Sequence, residues 1–324
     1  MNSTYISVII PTFNRCEMLA SALRSVDHQT FPSEQYEIIV VDNGSTDGTV
    51  QLVKHINHDN NKPIRYVYEA RQGLHWARHA GAVVARGKIL AYIDDDVVTD
   101  PNWLEELYKA YIFFDADCAG GKINIKWDRQ PPKWVIPYEP CLGQLDYGSD
   151  SRILNSNEFI NGGNFTILRR RLFEIGGFNP DQVNDRLIGD GETGLCRKIH
   201  KLGWKMVWVP KAIVSHIQFV DKNGTLEDIK RRFWNNGVGK AYDYNKSHKP
   251  SSFILSIKAT YVLMKRTKEM LVGNIFRFLA KPLYYYHHVL QAAYLEGEGL
   301  YYLRLIHDVE LRKVAKIENW IELI

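Results

Sequence analysis

The chain has 324 residues, 45% of them hydrophobic and 24% charged, with a formal net charge of +4. That length suits one large α/β domain with an appended element, and the balance excludes a disordered or fibrous protein. The four cysteines, Cys16, Cys118, Cys141 and Cys196, form no Cys-x-x-Cys pair, which argues against a zinc ribbon or a disulfide framework and for reduced thiols.

Residues 225–324 hold 16 Lys and Arg against 10 Asp and Glu, whereas residues 1–224 hold 25 against 27. The basic excess is therefore C-terminal, where it could meet an anionic membrane surface or a phosphate-bearing substrate, or form an ordinary solvated face. Met1 to Tyr5 has no basic stretch with an apolar core behind it, and no window offers the ~20 apolar residues of a membrane span. The expectation is a cytoplasmic protein, with peripheral contact at the inner face of the membrane as an option.

Taken in chain order, Ser7-Val8-Ile9-Ile10-Pro11 reads as a buried strand closed by proline. Asn14 with Glu17 resembles a capping box before a helix whose apolar face is Met18, Leu19, Ala22, Leu23 and Val26. Glu37 to Asp42 is a second strand, Asn43-Gly44-Ser45 a turn into a helix near Asp47, Ile64 to Tyr68 a third strand, and Leu74 to Ala85 a third helix. Lys88 to Ile93 is a fourth strand running into Asp94-Asp95-Asp96. Strand–helix alternation predicts a mostly parallel sheet covered on both faces, with ligands beyond the strands' carboxyl ends at Pro11-Thr12, Asp42-Asn43 and Asp94–Asp96. Beyond Ile125, four prolines among aromatic residues predict an ordered loop region over the site. A helix is expected around Asp190–Leu202, a strand from Trp204 to Val209, and mainly helix after Leu226.

In an extended backbone Asp94 and Asp96 would project to one side, where a divalent cation could bridge them; capping of a helix near Pro101 is the alternative use of these carboxylates. Three adjacent aspartates repel one another, so a cation or a basic partner is expected beside them.

Four segments stand in order. They are Ser7-Val8-Ile9-Ile10-Pro11-Thr12-Phe13-Asn14-Arg15, then Val41-Asp42-Asn43-Gly44-Ser45, then Gly73 through Ala77-Arg78 to Gly81, and Ile93-Asp94-Asp95-Asp96. Together they resemble the family 2 inverting glycosyltransferases, over about residues 5–220. The resemblance implies a GT-A fold, a Rossmann-like α/β sheet flanked by helices, in a catalytic region 1–220 divided into a nucleotide-sugar half (1–125) and an acceptor-side half (126–220). Residues 221–324 would be a helical extension that contacts a membrane surface or a partner. It also implies Mn²⁺ or Mg²⁺ as cofactor, a nucleoside diphosphate sugar as donor with uridine the expected base, and a glycan or lipid-linked acceptor, as in polysaccharide assembly.

Carried over, Pro11, Thr12 and Asn14 would line the base and ribose pocket and Asp42 would accept from the base. Arg78 would approach the diphosphate, with Arg71 a lesser candidate. Asp94 would reach ribose or metal, Asp95 would belong to the nucleotide-sugar site while pointing away from the cation, and Asp96 would be the principal metal ligand, with His216 completing the shell. His79 stands where the family usually has asparagine. Asn161-Gly162-Gly163-Asn164 resembles the acceptor-side segment, with Gly162, Gly163 and Asn164 near the acceptor. The family's Glu-Asp base pair is altered here to Asp190-Gly191-Glu192; alignment back from Gly203 favours Glu192 as general base, with Asp190 the substitute. A catalytically silent nucleotide- or glycan-binding subunit is the alternative. A sugar-phosphate nucleotidyltransferase is disfavoured because Pro11 to Arg15 is no Gly-rich phosphate loop, and nucleic acid is disfavoured by the acidic rim.

Overall fold

The computed structural model describes residues 4–59, 63–180, 182–183, 186–187 and 189–324. Its centre is a sheet laid down in chain order by β1 (Ile6–Thr12), helix α1 (Cys16–Asp27), β2 (Tyr36–Asp42), α2 (Thr49–Asp59), β3 (Arg65–Tyr68), α3 (Leu74–Val84) and β4 (Ile89–Tyr92). All seven residues of β1 are buried, and the next apolar run, in β2, pairs with it in parallel from Ile6–Tyr36 to Thr12–Asp42. β-branched residues buried on both faces are what a parallel sheet with helices on either side demands. Helix α1 buries Leu19, Ala22, Leu23 and Val26, as its periodicity predicts.

The chain continues through β5 (Val97–Thr99), α4 (Trp103–Phe113), β6 (Cys118–Trp127), β7 (Arg152–Ile153), β8 (Phe165–Leu168) and α5 (Arg169–Glu174). It goes on to β9 (Gln182–Val183), β10 (Arg186–Leu187), α6 (Gly191–Lys201) and β11 (Met206–Gln218). Among the described residues the sheet has nine strands in the order β3-β2-β1-β4-β8-β6-β11-β5, with β7 also paired to β11. β8 is antiparallel to both β4 and β6, so it joins the parallel half to the β6–β11 pair. β11 runs well beyond the expected Trp204–Val209 strand, with a bulge between Val209 and Val214, and this extension carries His216 to the sheet rim.

The anticipated capping box does not form. Asn14 adopts a left-handed conformation (φ 52°), and its Oδ1 accepts from Thr46 N–H at 2.7 Å. The N–H at the start of α1, on Cys16, donates instead to Asp47 Oδ2 at 2.9 Å, so the loop after β2 caps the helix after β1.

Beyond a short α7 (Val220–Asn223), helices α8 (Leu226–His248), α9 (Ser252–Phe278), α10 (Pro282–His307) and α11 (Val309–Val314) complete the chain, with α10 packed on both α8 and α9. The proline-rich loop after β6 is attached to them: Val135 and Leu142 share an apolar cluster with Ile229 and Leu290, and Trp134 stacks on Tyr286 at 4.4 Å. The C-terminal segment returns to the sheet side, where Trp320 and Ile321 N–H donate to Gly176 O and Arg71 donates to Leu323 O at 2.7 Å. Gly176 and Gly177 (φ 86° and 79°) thus form the turn that receives this segment, and Arg71, doubly bonded to Glu69, anchors it.

Helices α8 and α10 meet through glycine. A Cβ on Gly237 would lie 2.0 Å from Tyr294 O and one on Gly297 2.1 Å from Trp234 O, so the two backbones touch directly. Gly297→Ala is expected to destabilise the fold by about 1–3 kcal/mol through forced separation of the helices, read as a lowered Tm in a thermal melt.

Candidate active site

The aspartate triplet is a turn, not a strand end. Val97 N–H donates to Asp94 O at 3.2 Å, and the chain reverses through Asp95 and Asp96 into β5. Alternation along an extended backbone therefore does not apply, and the three side chains diverge to different partners. Asp95, only 5% exposed, accepts from Thr12 Oγ1 at 2.8 Å and Arg15 Nη1 at 3.1 Å. Burial pushes its carboxyl up to about 6 despite Arg15. Through these contacts Asp95 ties the turn to the end of β1. Arg15 Nη1 also lies 2.8 Å from Asp96 Oδ2 and is the basic partner that three crowded carboxylates call for.

Asp94 faces the other way, onto Arg78. Arg78 lies on α3 and is 2% exposed, with Nη2 3.2 Å from Asp94 Oδ1 and Nη1 3.5 Å from Glu192 Oε2. Gly162 closes over it, for a Cβ there would lie 2.4 Å from Nη2, and Phe178 supplies a ring 5.1 Å from the guanidinium carbon. In this arrangement its fork joins two carboxylates that are 98 positions apart in the chain. Burial raises the Asp94 carboxyl, with Asp96 adding to the shift and Arg78 opposing it. His79 is fully buried and accepts from Phe178 N–H at 2.8 Å, and burial drives its imidazole well below the ordinary range, so it is neutral.

The two base candidates separate clearly. Asp190 precedes α6 and is held on both oxygens, by Asn179 Nδ2 at 2.6 Å and by Arg197 Nη2, with Gly194 packed against it. Glu192, in the first turn of α6, has a side chain 21% exposed and, among the described residues, meets only the long contact to Arg78. Asp190 is thus tied down at the start of α6, whereas Glu192 is partly open.

On the other side of the turn, Pro11 and Thr12 end β1 and Asn14 holds the loop 45–46. Asp42 is 1% exposed; Oδ1 accepts from Ser45 N–H and Oδ2 from Tyr66 OH, each at 2.7 Å. Both oxygens of this carboxylate thus accept from donors within the chain, which ties the end of β2 to the loop at Ser45 and to Tyr66. Asn164 is likewise fully engaged, accepting from Trp103 Nε1 and donating to Lys122 O and Ala212 O. Gly162 and Gly163, next to it in the chain, pack on Arg78 and Asp94.

Among the described residues no three His, Cys, Asp or Glu side chains are grouped to hold a metal ion. Of the expected ligands the structure brings two together: register places His216 opposite Val97, with Nε2 3.2 Å from Asp96 Oδ1. That oxygen is buried with the long His216 contact as its neighbour, and His216 Nε2 lies closer, at 2.8 Å, to Gln218 Nε2, so the pair retains lone-pair capacity that a cation could take up. Burial opposes charge on His216, but hydrogen bonding to Asp96 and the charges of Asp96 and Asp94 outweigh it and raise the imidazole; the same imidazole, with Arg15, holds Asp96 below the usual carboxylate range against burial. A cleft of about 620 Å³ opens beside Asp96, lined by Glu17, Asp47, Asp96, Asp128 and Asp221 against Arg15 and Lys222. A diphosphate entering so acidic a cleft requires a cation.

A second cleft, also about 620 Å³, opens on the side of Glu192. Its walls are Asp190, Glu192, Thr193 and Arg197 on one side and Asn235, Asn236, Lys240 and Asp243 of α8 with Tyr294 of α10 on the other. These helical residues escaped sequence reading. The amide pair Asn235-Asn236 beside Gly237, within an amphipathic helix, is the signal that could have marked them. A third cavity, between α10 and α11 around Leu300, Leu303 and Val309, contains none of the candidate residues.

Arg78→Met leaves two partly exposed carboxylates without their shared cation and is expected to cost about 1–2 kcal/mol in denaturant unfolding, with Arg78→Lys recovering part of it. An unchanged midpoint for Arg78→Met would show that the guanidinium is not the tie between α3, Asp94 and α6.

Residues 7–176, just over half of the chain, match the family described as glycosyl transferase family 2. Glycosyltransferase AglE of Haloferax volcanii is 34% identical over 131 residues, which are 39% of this chain and 42% of that protein, so the chain spans less than half of this relative's length. A glucosyl-dolichyl phosphate glucuronosyltransferase of the same organism is 24% identical over 235 residues, covering 71% of this chain and 74% of that one. Among solved structures, a mannosyltransferase from Pyrobaculum calidifontis in complex with GDP-Man and Mn²⁺ superposes with a TM-score of 0.61 at 18% identity, covering 93% and 87% of the two chains. GalNAc-T7 with UDP, GalNAc and Mn²⁺ gives 0.54 at 23% identity, covering 77% and 52%. The fold is thus that of the GT-A glycosyltransferases, and the chain belongs to glycosyl transferase family 2.

Proposed function

We propose that the protein transfers a sugar from a nucleoside diphosphate to an acceptor hydroxyl with inversion at the anomeric carbon, Glu192 acting as general base. The observation that carries this reading is the Asp94–Arg78–Glu192 bridge, which sets a partly exposed carboxylate, with no partner closer than 3.5 Å among the described residues, in the cleft walled by α8 and links it to the aspartate turn that borders the acidic cleft. The donor's diphosphate lies on the Asp96 side and the acceptor on the Glu192 side, so Glu192 takes the hydroxyl proton on the face away from the leaving group. As the acceptor oxygen bonds to the anomeric carbon, the bond from that carbon to the diphosphate breaks and its electron pair leaves with the phosphate oxygen. Arg78 holds Glu192 in place; Arg15 and Thr12 hold the turn.

Asp96 and His216 are the residues that would hold a divalent ion, with Asp94 beside them. When bound, Mn²⁺ or Mg²⁺ would neutralise the charge that develops on the leaving diphosphate. Uridine is the base that the family resemblance implies, and the two solved relatives carry UDP and GDP-Man. A lipid-linked glycan is the acceptor class we favour, in keeping with the relative named for glucosyl-dolichyl phosphate. Asn235, Asn236 and Tyr294 offer amide groups and a ring face to the hydroxyl-rich and apolar faces of a sugar.

The test is Mn²⁺-dependent donor hydrolysis and transfer. Glu192→Gln should lower turnover by roughly 10²–10⁴ with donor affinity and Tm retained, whereas Asp190→Asn should act mainly on Tm. Turnover that survives Glu192→Gln, or its complete absence from the wild type with every nucleotide sugar tried, would sink the reading.

Thermal stabilisation by UDP- or GDP-sugars should require Mn²⁺ and vanish in Asp96→Ala. A metal ligand must be neutral imidazole, and Asp96 and Asp94 hold the His216 proton above its ordinary range. Mn²⁺-dependent donor binding should therefore strengthen as pH rises through that raised value, and His216→Ala should flatten the dependence.

A further inference from the structure

The basic C-terminal residues fall into two groups once folded. Arg231 and Arg232 of α8 share Asp228, and Arg266 of α9 pairs with Glu296, so these cations are engaged within the protein. What remains is one face of α9. Phe253, Ile257, Met264, Leu271, Ile275 and Phe278 are all exposed, Phe278 at 89%. At the helical step they fall within about 100° of arc, roughly opposite the buried stripe of Leu255, Ala259, Val262 and Gly273. The ridge runs the length of a 27-residue helix, about 40 Å, and Leu279 and Leu283 carry it into the start of α10. An apolar ridge of that extent is not an ordinary surface.

We propose that this face of α9 lies in the plane of an anionic lipid bilayer. The charge around it selects the occupant. Residues 249–284 contain seven Lys and Arg and one acidic residue, Glu269, which His288 engages at 2.6 Å. Lys265 follows one flank of the ridge, with Nζ 4.8 Å from the Tyr261 ring, and Lys268 stands beside it on a stem long enough to reach headgroups, whereas Lys258 is seated on the Tyr244 ring of α8 at 3.8 Å. A second copy of the chain would set this cationic face against itself, so charge disfavours it, whereas an anionic surface is complementary. No helix among the described residues is long and apolar enough to cross a membrane, so the contact is in-plane. The inference does not rest on the transfer reaction: vesicle binding can fail while donor hydrolysis persists, and the reverse.

The full chain should co-sediment with phosphatidylglycerol–phosphatidylcholine vesicles and much less with phosphatidylcholine alone. Leu271→Glu with Phe278→Glu should lower partitioning at least roughly ten-fold, and Lys265→Glu with Lys268→Glu should abolish the preference for phosphatidylglycerol. All four positions are exposed, so Tm should not move in either variant. As a direct readout, Trp introduced by Phe253→Trp should be quenched by brominated lipid. The proposal is overturned if the full chain stays in the supernatant with anionic vesicles, or if both paired variants pellet as the wild type does. A vesicle-free dimer in light scattering that Leu271→Glu with Phe278→Glu makes monomeric also overturns it, in favour of a second copy.

Discussion

Carboxylates crowded at a half-buried rim need cations, and two arginines meet that need. Asp94, Asp95 and Asp96 occupy one turn, with Glu192 brought in from α6, and like charges at such separations repel strongly where water is excluded. Arg15 takes up Asp95 and Asp96, and Arg78 takes up Asp94 and reaches Glu192. A planar guanidinium can serve two carboxylates at once, which a lysine ammonium does less well. Because Arg78 is sealed by Gly162 and Phe178, it fixes the donor-side turn relative to the helix that carries the base candidate.

The site divides into two clefts of different character on either side of that bridge. The cleft beside Asp96 is dominated by acids and is suited to an anionic ligand only together with a cation. The cleft beside Glu192 mixes amides, Lys240, Asp243 and a tyrosine, a lining suited to hydroxyl groups. The two linings differ in charge and are linked through Arg78, which contacts Asp94 and Glu192 alike.

The C-terminal helices belong to this arrangement and are not an independent appendage. Glycine contacts between α8 and α10 bring Tyr294 beside Asn235 and Asn236, and the aromatic loop after β6 attaches the helices to the sheet. The final segment closes the circuit at Gly176, with Trp320 and Ile321 buried against α3 and α5 surroundings. With α10 covered by its neighbours, α9 is left facing outward, and its apolar ridge and cationic flank follow from which stripe of the helix α10 occupies.

Much of the architecture was legible in the chain itself. Unbroken apolar runs such as Ile38 to Val41 can only be buried strands, and the 3.6-residue recurrence of Leu19, Ala22, Leu23 and Val26 is local information that survives folding. The crowding of Asp94 to Asp96 likewise announced a basic partner, because adjacent like charges are a property of the sequence alone. Which arginine answers, however, depends on how strands pair: Arg15 arrives through the β1–β4 pairing, and Arg78 reaches Glu192 only because α3 and α6 flank the same turn. Tertiary contacts likewise decided that Asp94–Asp96 turns back on itself, that Asp42 and Asn164 spend their polar atoms internally, and that α8 walls a cleft. Local propensity and pattern are set by neighbours in the chain, whereas hydrogen-bond partners and charge pairs are chosen among groups that only the closed fold brings within reach.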